Sequence, residues 1–155
     1  MNGGFETDEV FRLETNLDDC TAELLGVVME RLFAAGALDV WFTPIQMKKN
    51  RPAVMLSALC EEATRDTLAE IILTETTAFG IRMDRVRRLK LARRMTTVST
   101  EFGEISIKLG LKGSQVVQAT PEFESVKAAA ERTGQAFRIV YEAATRAAAE
   151  IATVS

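Results

Sequence analysis

Two apolar runs separated by a short basic turn limit the folds open to this chain more than any other feature. The runs cover residues 38–47 and 53–60, and the segment between them carries Lys48, Lys49 and Arg51. Runs of this length joined by a short turn are typical of adjacent antiparallel strands. We therefore expect the turn to hold its three cations at the rim of a sheet. They could bind an anion there, although charged turn residues often only face water.

Helical and strand patterns flank this hairpin on both sides. Apolar side chains recur at helical spacing up to about residue 35 and again over residues 61–78, with Phe79 expected to face the core. Strand patterns cover residues 10–17 and 81–94. The order strand-helix-strand-strand-helix-strand is typical of the ferredoxin-like sandwich, in which two helices cover one face of an antiparallel sheet.

Further elements are predicted beyond residue 94. Residues 95–100 and 104–111 alternate as the two arms of a hairpin, and Val116 and Val117 suggest a short extended piece. A helix is predicted from Thr120, its cap, with the following proline in its first turn and its end near Gly134. A last helix, rich in alanine, is expected over residues 137–153.

These patterns predict an α+β protein in three parts. Residues 1–9 are interpreted as a disordered or expression-derived N-terminus, and residues 10–94 as a ferredoxin-like domain. Residues 95–155 are interpreted as a hairpin and helical C-terminal extension, packed on that domain or on a neighbouring subunit.

Composition excludes several classes of function. The net charge of -3, from 19 basic and 22 acidic residues, argues against a general nucleic-acid binder. The chain has no histidine, which excludes Ser-His and Cys-His catalysis and His-ligated zinc or nickel within it. Cys20 and Cys60 form no CxxC pattern and are interpreted as reduced thiols. No apolar run reaches transmembrane length and no signal sequence is evident, so a cytoplasmic protein without a membrane partner is expected.

Besides the basic turn, three clusters have the chemistry of a binding site, and each also has a purely structural interpretation. Glu14, Asp18 and Asp19 could hold magnesium or manganese, or the two aspartates could only cap the next helix. Thr76, Thr77 and Arg82 could line a nucleotide, or they could mark an ordinary helix end. The arginine-rich strand at 81–94 could be bulged, bind anions or only protect a sheet edge with charge.

A series of short motifs, in order along residues 11–145, carries a resemblance to a known family. The motifs are Glu14 to Asp19, Leu25-Gly26, Met29 to Val40, Thr43 to Pro52, Glu75-Thr76-Thr77, Gly80-Ile81-Arg82 and Pro121 to Ser125. Together they resemble the LarC family, the nickel insertion proteins of nickel-pincer cofactor synthesis. Phe123 and Ser125 replace the tyrosine and aspartate of that family's last motif.

The resemblance implies a CTP-dependent cyclometallase of the lyase class. Such a protein inserts nickel into pyridinium bis-thiocarboxylic acid mononucleotide with the help of CTP and manganese or magnesium. This chain resembles the C-terminal portion, which is expected to bind CTP, to form homo-oligomers and to need the missing N-terminal portion for activity. The resemblance implies that Lys48, Lys49, Arg51, Thr76, Thr77 and Arg82 bind the nucleotide, and that Asp18, Asp19 and Glu14 bind its metal.

Two other functions remain open at this level. The chain could be an oligomerisation module without a ligand of its own, because long hairpins and alanine-rich helices can form interfaces. It could also be an ACT-like sensor of a small metabolite, which the topology alone suggests. Whether the basic turn acts in its own subunit or reaches into a neighbour is open as well.

Overall fold

The computed structural model describes residues 3–153. Met1 and Asn2, part of the predicted disordered N-terminus, and the last two residues lie outside the described residues. The chain divides into two compact units, one from Asp8 to Arg88 and one formed by the residues from Leu89 onward with those up to Thr7. None of the described helices is both long and apolar enough to span a bilayer.

The first unit has the predicted ferredoxin-like order. Its elements are β1 (Glu6–Leu17), α1 (Ala22–Ala34), β2 (Asp39–Met47), β3 (Arg51–Cys60), α2 (Arg65–Glu75) and β4 (Arg82–Lys90). The strands form one sheet in the order β2-β3-β1-β4, and β3 is antiparallel to both β1 and β2. The prediction from the basic turn, that residues 38–60 form a hairpin, is therefore confirmed.

The core of this unit lies between one face of the sheet and the two helices. Leu13 and Leu56 from the strands are fully buried, as are Val28 and Leu32 from α1 and Ile72 from α2. In β1 the buried residues from Leu13 onward recur every second residue, and in α1 they recur every three or four residues. Each element therefore presents one apolar side to the same cluster.

The start of α1 differs from the expectation that Asp18 or Asp19 caps it. Thr21 is the N-cap, and its hydroxyl accepts a hydrogen bond from the Leu24 N–H at 3.3 Å. A threonine in this position satisfies one of the free N–H groups of the first turn. The two aspartates are consequently not used as caps.

The end of α2 also differs from the prediction. The helix ends at Glu75, because the Thr76 hydroxyl donates to the Ile72 carbonyl at 2.6 Å and accepts from the Ala78 N–H at 3.0 Å. The chain leaves the helix at this point, and Phe79 turns outward. Its predicted place in the core is wrong, since the residue is fully exposed.

The long strand predicted over residues 81–94 is two strands. β4 ends at Lys90 and β5 (Ala92–Thr100) belongs to another sheet. Leu91, between them, packs against β6, where a Cβ added to Gly110 would lie 2.8 Å from its Cδ1 atom. A single alternating strand could not satisfy both sheets, so the chain changes sheet at this leucine.

Several arginines of β4 are paired with acids of the same unit. Arg88 makes a bidentate ion pair with Asp8, with distances of 2.9 and 2.7 Å. Arg85 lies 3.6 Å from a carboxylate oxygen of Glu9 and 3.4 Å from one of Glu62. These contacts favour the interpretation of β4 as a charged sheet edge.

The second unit is a three-stranded sheet with two helices. Its elements are β5, β6 (Gly103–Lys112), β7 (Gln115–Pro121), α3 (Phe123–Thr133) and α4 (Phe137–Thr153). The strand order is β5-β6-β7, with antiparallel pairing, and the core includes Ile105, Ile107 and Leu109 of β6 with Val126 and Val140 of the helices. The predicted hairpin and last helix are confirmed.

Two details of this unit correct the sequence prediction. The extended piece at Val116 and Val117 is a full strand that ends with Pro121, opposite Ile107. As a result, α3 begins at Phe123 rather than at the proline. The Ser125 hydroxyl accepts a hydrogen bond from the Ser106 N–H at 2.9 Å, which ties the new helix to β6.

Candidate functional site

The acidic cluster that follows β1 and the cluster that contains Thr77 and Arg82 meet at one end of the four-stranded sheet. Leu17, the last residue of β1, is opposite Val54 near the start of β3, so residues that follow β1 lie beside those that open β3. Arg82, the first residue of β4, donates a hydrogen bond to the side-chain amide oxygen Oδ1 of Asn16 at 2.8 Å. The antiparallel order thus gathers the end of β1 and the starts of β3 and β4 at one edge.

A cavity of about 320 Å³ opens at this edge. It is lined by Thr15, Asn16, Asp18, Asp19, Thr77, Ala78, Phe79, Gly80 and Arg82. Two carboxylates and one guanidinium group therefore share a small, mostly polar space, which suits a ligand that brings both a cation and negative charge.

Hydrogen bonds fix the walls of this cavity. The Thr15 hydroxyl donates to the Gly80 carbonyl at 2.8 Å, which ties β1 to the loop after α2. The Thr77 hydroxyl donates to the Asp19 carboxylate and lies 3.1 Å from the Cys20 sulfur. Contacts within the chain therefore join β1 to the loop after α2 on both sides of the cavity.

The basic turn reaches this edge through Arg51. Its Nη1 atom lies 3.0 Å from Oδ2 of Asp18 in the same chain. The Asp18 side chain is 21% exposed and the Arg51 side chain is 54% exposed, so the ion pair lies at the surface beside the cavity. For Arg51, the contact with the acidic pair forms within one subunit.

The two lysines of the turn are placed differently. Lys48 and Lys49 are exposed in the tight turn at residues 48–50, and neither is among the residues that line the cavity. Lys49 and Asn50 both have left-handed backbone angles, with φ of 61° and 60°. Such a conformation is uncommon in residues other than glycine, so the turn projects its lysines at some conformational cost.

Glu14 and Thr76 have supporting positions. The Glu14 side chain is only 13% exposed, and its carboxylate lies 3.3 Å from Arg12 and 3.8 Å from Arg82. It therefore helps to place the Arg82 guanidinium. Thr76 fixes the helix end, as described above. Neither residue lines the cavity.

The acidic residues can be tested against a metal ion by their number and placement. Within residues 3–153, no three acidic, cysteine or histidine side chains come together as ligands for a metal. Asp18 and Asp19 nevertheless face one cavity. Magnesium in nucleotide sites commonly takes one or two carboxylates and completes its shell with water and phosphate oxygens. The pair therefore fits an ion that arrives with a phosphate ligand, whereas Glu14 does not line this cavity.

The sequence did not single out Thr15 or Phe79 as site residues, whereas the amide of Asn16 and the glycine at position 80 belong to the acidic and the threonine-rich motifs. Asn16 lies within the acidic motif, and its place beside the two aspartates was the available signal. Phe79 gave no signal, because an apolar residue at the end of a helix pattern is usually buried.

Fold and site together define an α+β domain of ferredoxin-like order with a cavity of mixed charge at one end of its sheet. Residues 1–141 match the family described as nickel insertion protein, and the chain belongs to this family. A pyridinium-3,5-bisthiocarboxylic acid mononucleotide nickel insertion protein of Thermotoga sp. (strain RQ2) is 42% identical over 139 residues, which are 90% of this chain and 35% of that protein. The protein of the same name from Acetivibrio thermocellus is 46% identical over 140 residues, which are 90% of this chain and 34% of that protein. The chain thus spans about a third of the length of the curated relatives it matches.

Two solved structures are similar. One is LarC2, the C-terminal domain of a cyclometallase involved in the synthesis of the NPN cofactor of lactate racemase, in its apo form. It is 41% identical, with a TM-score of 0.86, and the match covers 92% of this chain and 98% of that one. The other, a protein of Methanopyrus kandleri AV19, is 24% identical with a TM-score of 0.68, covers 94% of this chain and 90% of that one, and shows the fold alone.

Proposed function

We propose that this chain is the CTP-binding and oligomerising C-terminal portion of a nickel insertion protein. The complete protein would form the nickel-pincer cofactor from pyridinium-3,5-bisthiocarboxylic acid mononucleotide, with nickel as a substrate. The observation that carries the proposal is the single cavity in which Asp18 and Asp19 face the same space as Arg82. The similarity to a C-terminal cyclometallase domain supports the assignment of the portion.

The roles of the side chains follow from their charge and place. Asp18 and Asp19 would hold manganese or magnesium, which neutralises phosphate charge when bound. Arg82 would bind phosphate oxygens, and its guanidinium group is positioned by a hydrogen bond to Asn16 and by the carboxylate of Glu14, 3.8 Å away. Arginine presents several N–H donors in a fork that matches phosphate, so it orients the triphosphate as well as attracting it.

The remaining basic residues would act at the rim. Arg51 lies close enough to Asp18 to contact a phosphate held by the metal, whereas Lys48 and Lys49 stand outside the cavity. We assign the lysines to outer phosphates or to a ligand in a neighbouring subunit. Thr77 would keep Asp19 oriented through its hydroxyl group, and Thr76 would shape the loop.

This portion alone is not expected to complete nickel insertion. It spans about a third of its relatives' length, and it has no histidine that could bind nickel. The missing N-terminal portion of the same protein would supply the rest of the reaction. We place the protein in the cytoplasm.

Calorimetry with CTP and excess manganese tests this function. Arg82→Gln should weaken CTP binding about 10- to 150-fold, because a hydrogen bond to a charged group contributes roughly 1.5–3 kcal/mol. Arg87→Gln, at an exposed position of the same strand that does not line the cavity, is the matched control and should leave the affinity unchanged. Absence of binding at millimolar CTP, or an equal loss in both variants, would contradict the proposal.

An oligomerisation module without a ligand is the second candidate. An exposed aromatic row on α3 and α4 favours it, with ring centroids 5.3 Å apart for Phe123 and Phe137 and 5.9 Å apart for Phe137 and Tyr141. Sedimentation of the protein with and without CTP separates the two candidates. A stable oligomer that binds no nucleotide would favour the module.

A further inference from the structure

Phe79 is exposed to solvent in the loop that follows α2, although hydrogen bonds fix the residues on either side of it. The residue is fully exposed. The residues around it are fixed, because Ala78 donates to the Thr76 hydroxyl at 3.0 Å and the Gly80 carbonyl accepts from Thr15 at 2.8 Å. The ring therefore does not lack a place in the core because the loop is loose. The loop geometry itself directs the ring outward and forgoes the stability that burial would give.

The surroundings of this ring are polar and charged. Phe79 is the one aromatic residue among those that line the cavity, whose other members include Thr77 and Arg82. Its chain neighbours, Ala78 and Gly80, add no more than a methyl group. A Cβ placed on Gly80 would meet no atom within 4 Å, so the space beside the ring's chain neighbour is open.

A ligand that suits this arrangement has two parts, a polyanion and a flat ring. A large contiguous apolar patch on a surface indicates a protein or membrane interface, whereas Phe79 is one ring beside a charged cavity. Aromatic side chains are common stacking platforms for nucleobases, since every base has a π-face.

We propose that Phe79 stacks on the base of the nucleotide whose phosphates occupy the cavity. This inference rests on the proposed function and assigns the two parts of the nucleotide to different residues. Arg82 and the acidic pair bind the metal triphosphate, and Phe79 binds the base. Stacking tolerates any base, so Phe79 provides affinity without selecting cytosine.

The test compares two ligands on the whole chain. Binding of CTP and of inorganic tripolyphosphate, each with manganese, is measured by calorimetry for wild type, Phe79→Ala and Phe79→Trp. Phe79→Ala should weaken CTP about 5- to 150-fold, which corresponds to the roughly 1–3 kcal/mol of one stacked base, and leave tripolyphosphate unchanged. Phe79→Trp should keep or improve CTP binding. UTP and ATP should lose affinity by a similar factor in Phe79→Ala.

Each other outcome is informative in its own way. Because the ring is exposed, the unfolding temperature should not change, and circular dichroism checks this. Equal loss for both ligands, or no loss for CTP, overturns the stacking role while leaving the proposed function intact. A changed sedimentation coefficient with unchanged CTP affinity means that the ring contacts a second copy of the chain, and this also overturns it. Failure of the wild type to bind either ligand overturns the proposed function and the stacking role together.

Discussion

The ion pair between Arg51 and Asp18 predicts that one substitution will move two affinities in opposite directions. In the protein without ligand, Arg51 Nη1 lies 3.0 Å from Asp18 Oδ2. A divalent ion that uses Asp18 must compete with this guanidinium group. A phosphate on that ion, in contrast, would gain Arg51 as a partner. Arg51→Gln should therefore strengthen the binding of manganese alone and weaken the binding of manganese with CTP.

The exposure of the pair sets the size of the first effect. With side chains 54% and 21% exposed, the pair belongs to the surface class, which contributes about 0.2–1 kcal/mol. Its removal should tighten manganese binding without nucleotide by at most about fivefold. The loss of a charged donor to phosphate is larger, at roughly 1.5–3 kcal/mol, and should weaken CTP binding about 10- to 150-fold.

Two titrations measure these effects. Manganese is titrated into the nucleotide-free protein and followed by electron paramagnetic resonance, and CTP is titrated at saturating manganese in the calorimeter. Lys48→Gln removes a charge from the same turn but no contact with Asp18, so it controls for the general field. If Arg51→Gln weakens both ligands, or if Lys48→Gln tightens manganese as much, the competition for Asp18 is refuted.

Two further predictions concern stability. Leu13→Ala should lower the free energy of unfolding by about 2–5 kcal/mol, because this side chain is fully buried. Leu73→Ala, at an exposed position, is the control and should change it by less than about 0.5 kcal/mol. Urea unfolding of the two variants and the wild type measures both effects. Burial raises the pKa of the Cys60 thiol above its ordinary value of 9.0. The folded state therefore holds the thiol proton more tightly than the unfolded chain does, and the free energy of unfolding falls as the pH rises from 9.0 through the folded-state pKa. Unfolding measured between pH 7.5 and 10.5 should show this decline for wild type and a smaller one for Cys60→Ala; identical slopes would contradict it.

Most of the fold could be predicted from the sequence because its elements are amphipathic and joined by short turns. The alternation of Leu13 with the polar residues Arg12 and Glu14 predicts which face of β1 is buried, and the apolar residues at helical spacing do the same for α1. Both faces of β3 carry apolar residues, which predicts its place inside the sheet instead. The change of sheet at Leu91 could not be predicted this way. Both β4 and β5 are extended, so the local pattern continues across the leucine, and only its packing against Gly110 reveals the change.

The candidate site was predicted in part. Asp18, Asp19, Thr77 and Arg82 were named from the sequence, and the structure places all four around one cavity. These four are identifiable because charged and hydroxyl residues at element ends are exposed by default. Phe79 was missed because hydrophobicity alone predicts burial. The hydrogen bonds that anchor its loop are made by Thr76 and Thr15, and the sequence does not show which groups these hydroxyls contact.

The antiparallel order of β1, β3 and β4 has a consequence for how ligand binding and folding are coupled. The contacts that build the site join residues 33, 58 and 66 positions apart, as in Asp18–Arg51, Asp19–Thr77 and Asn16–Arg82. No short peptide of the chain contains the site, and the unfolded chain has no site at all. A ligand at one hundred times its dissociation constant would therefore stabilise the folded state by about 2.7 kcal/mol. Protection of the first unit against heat becomes a direct measure of occupancy, even for a ligand whose chemical turnover requires the rest of the protein.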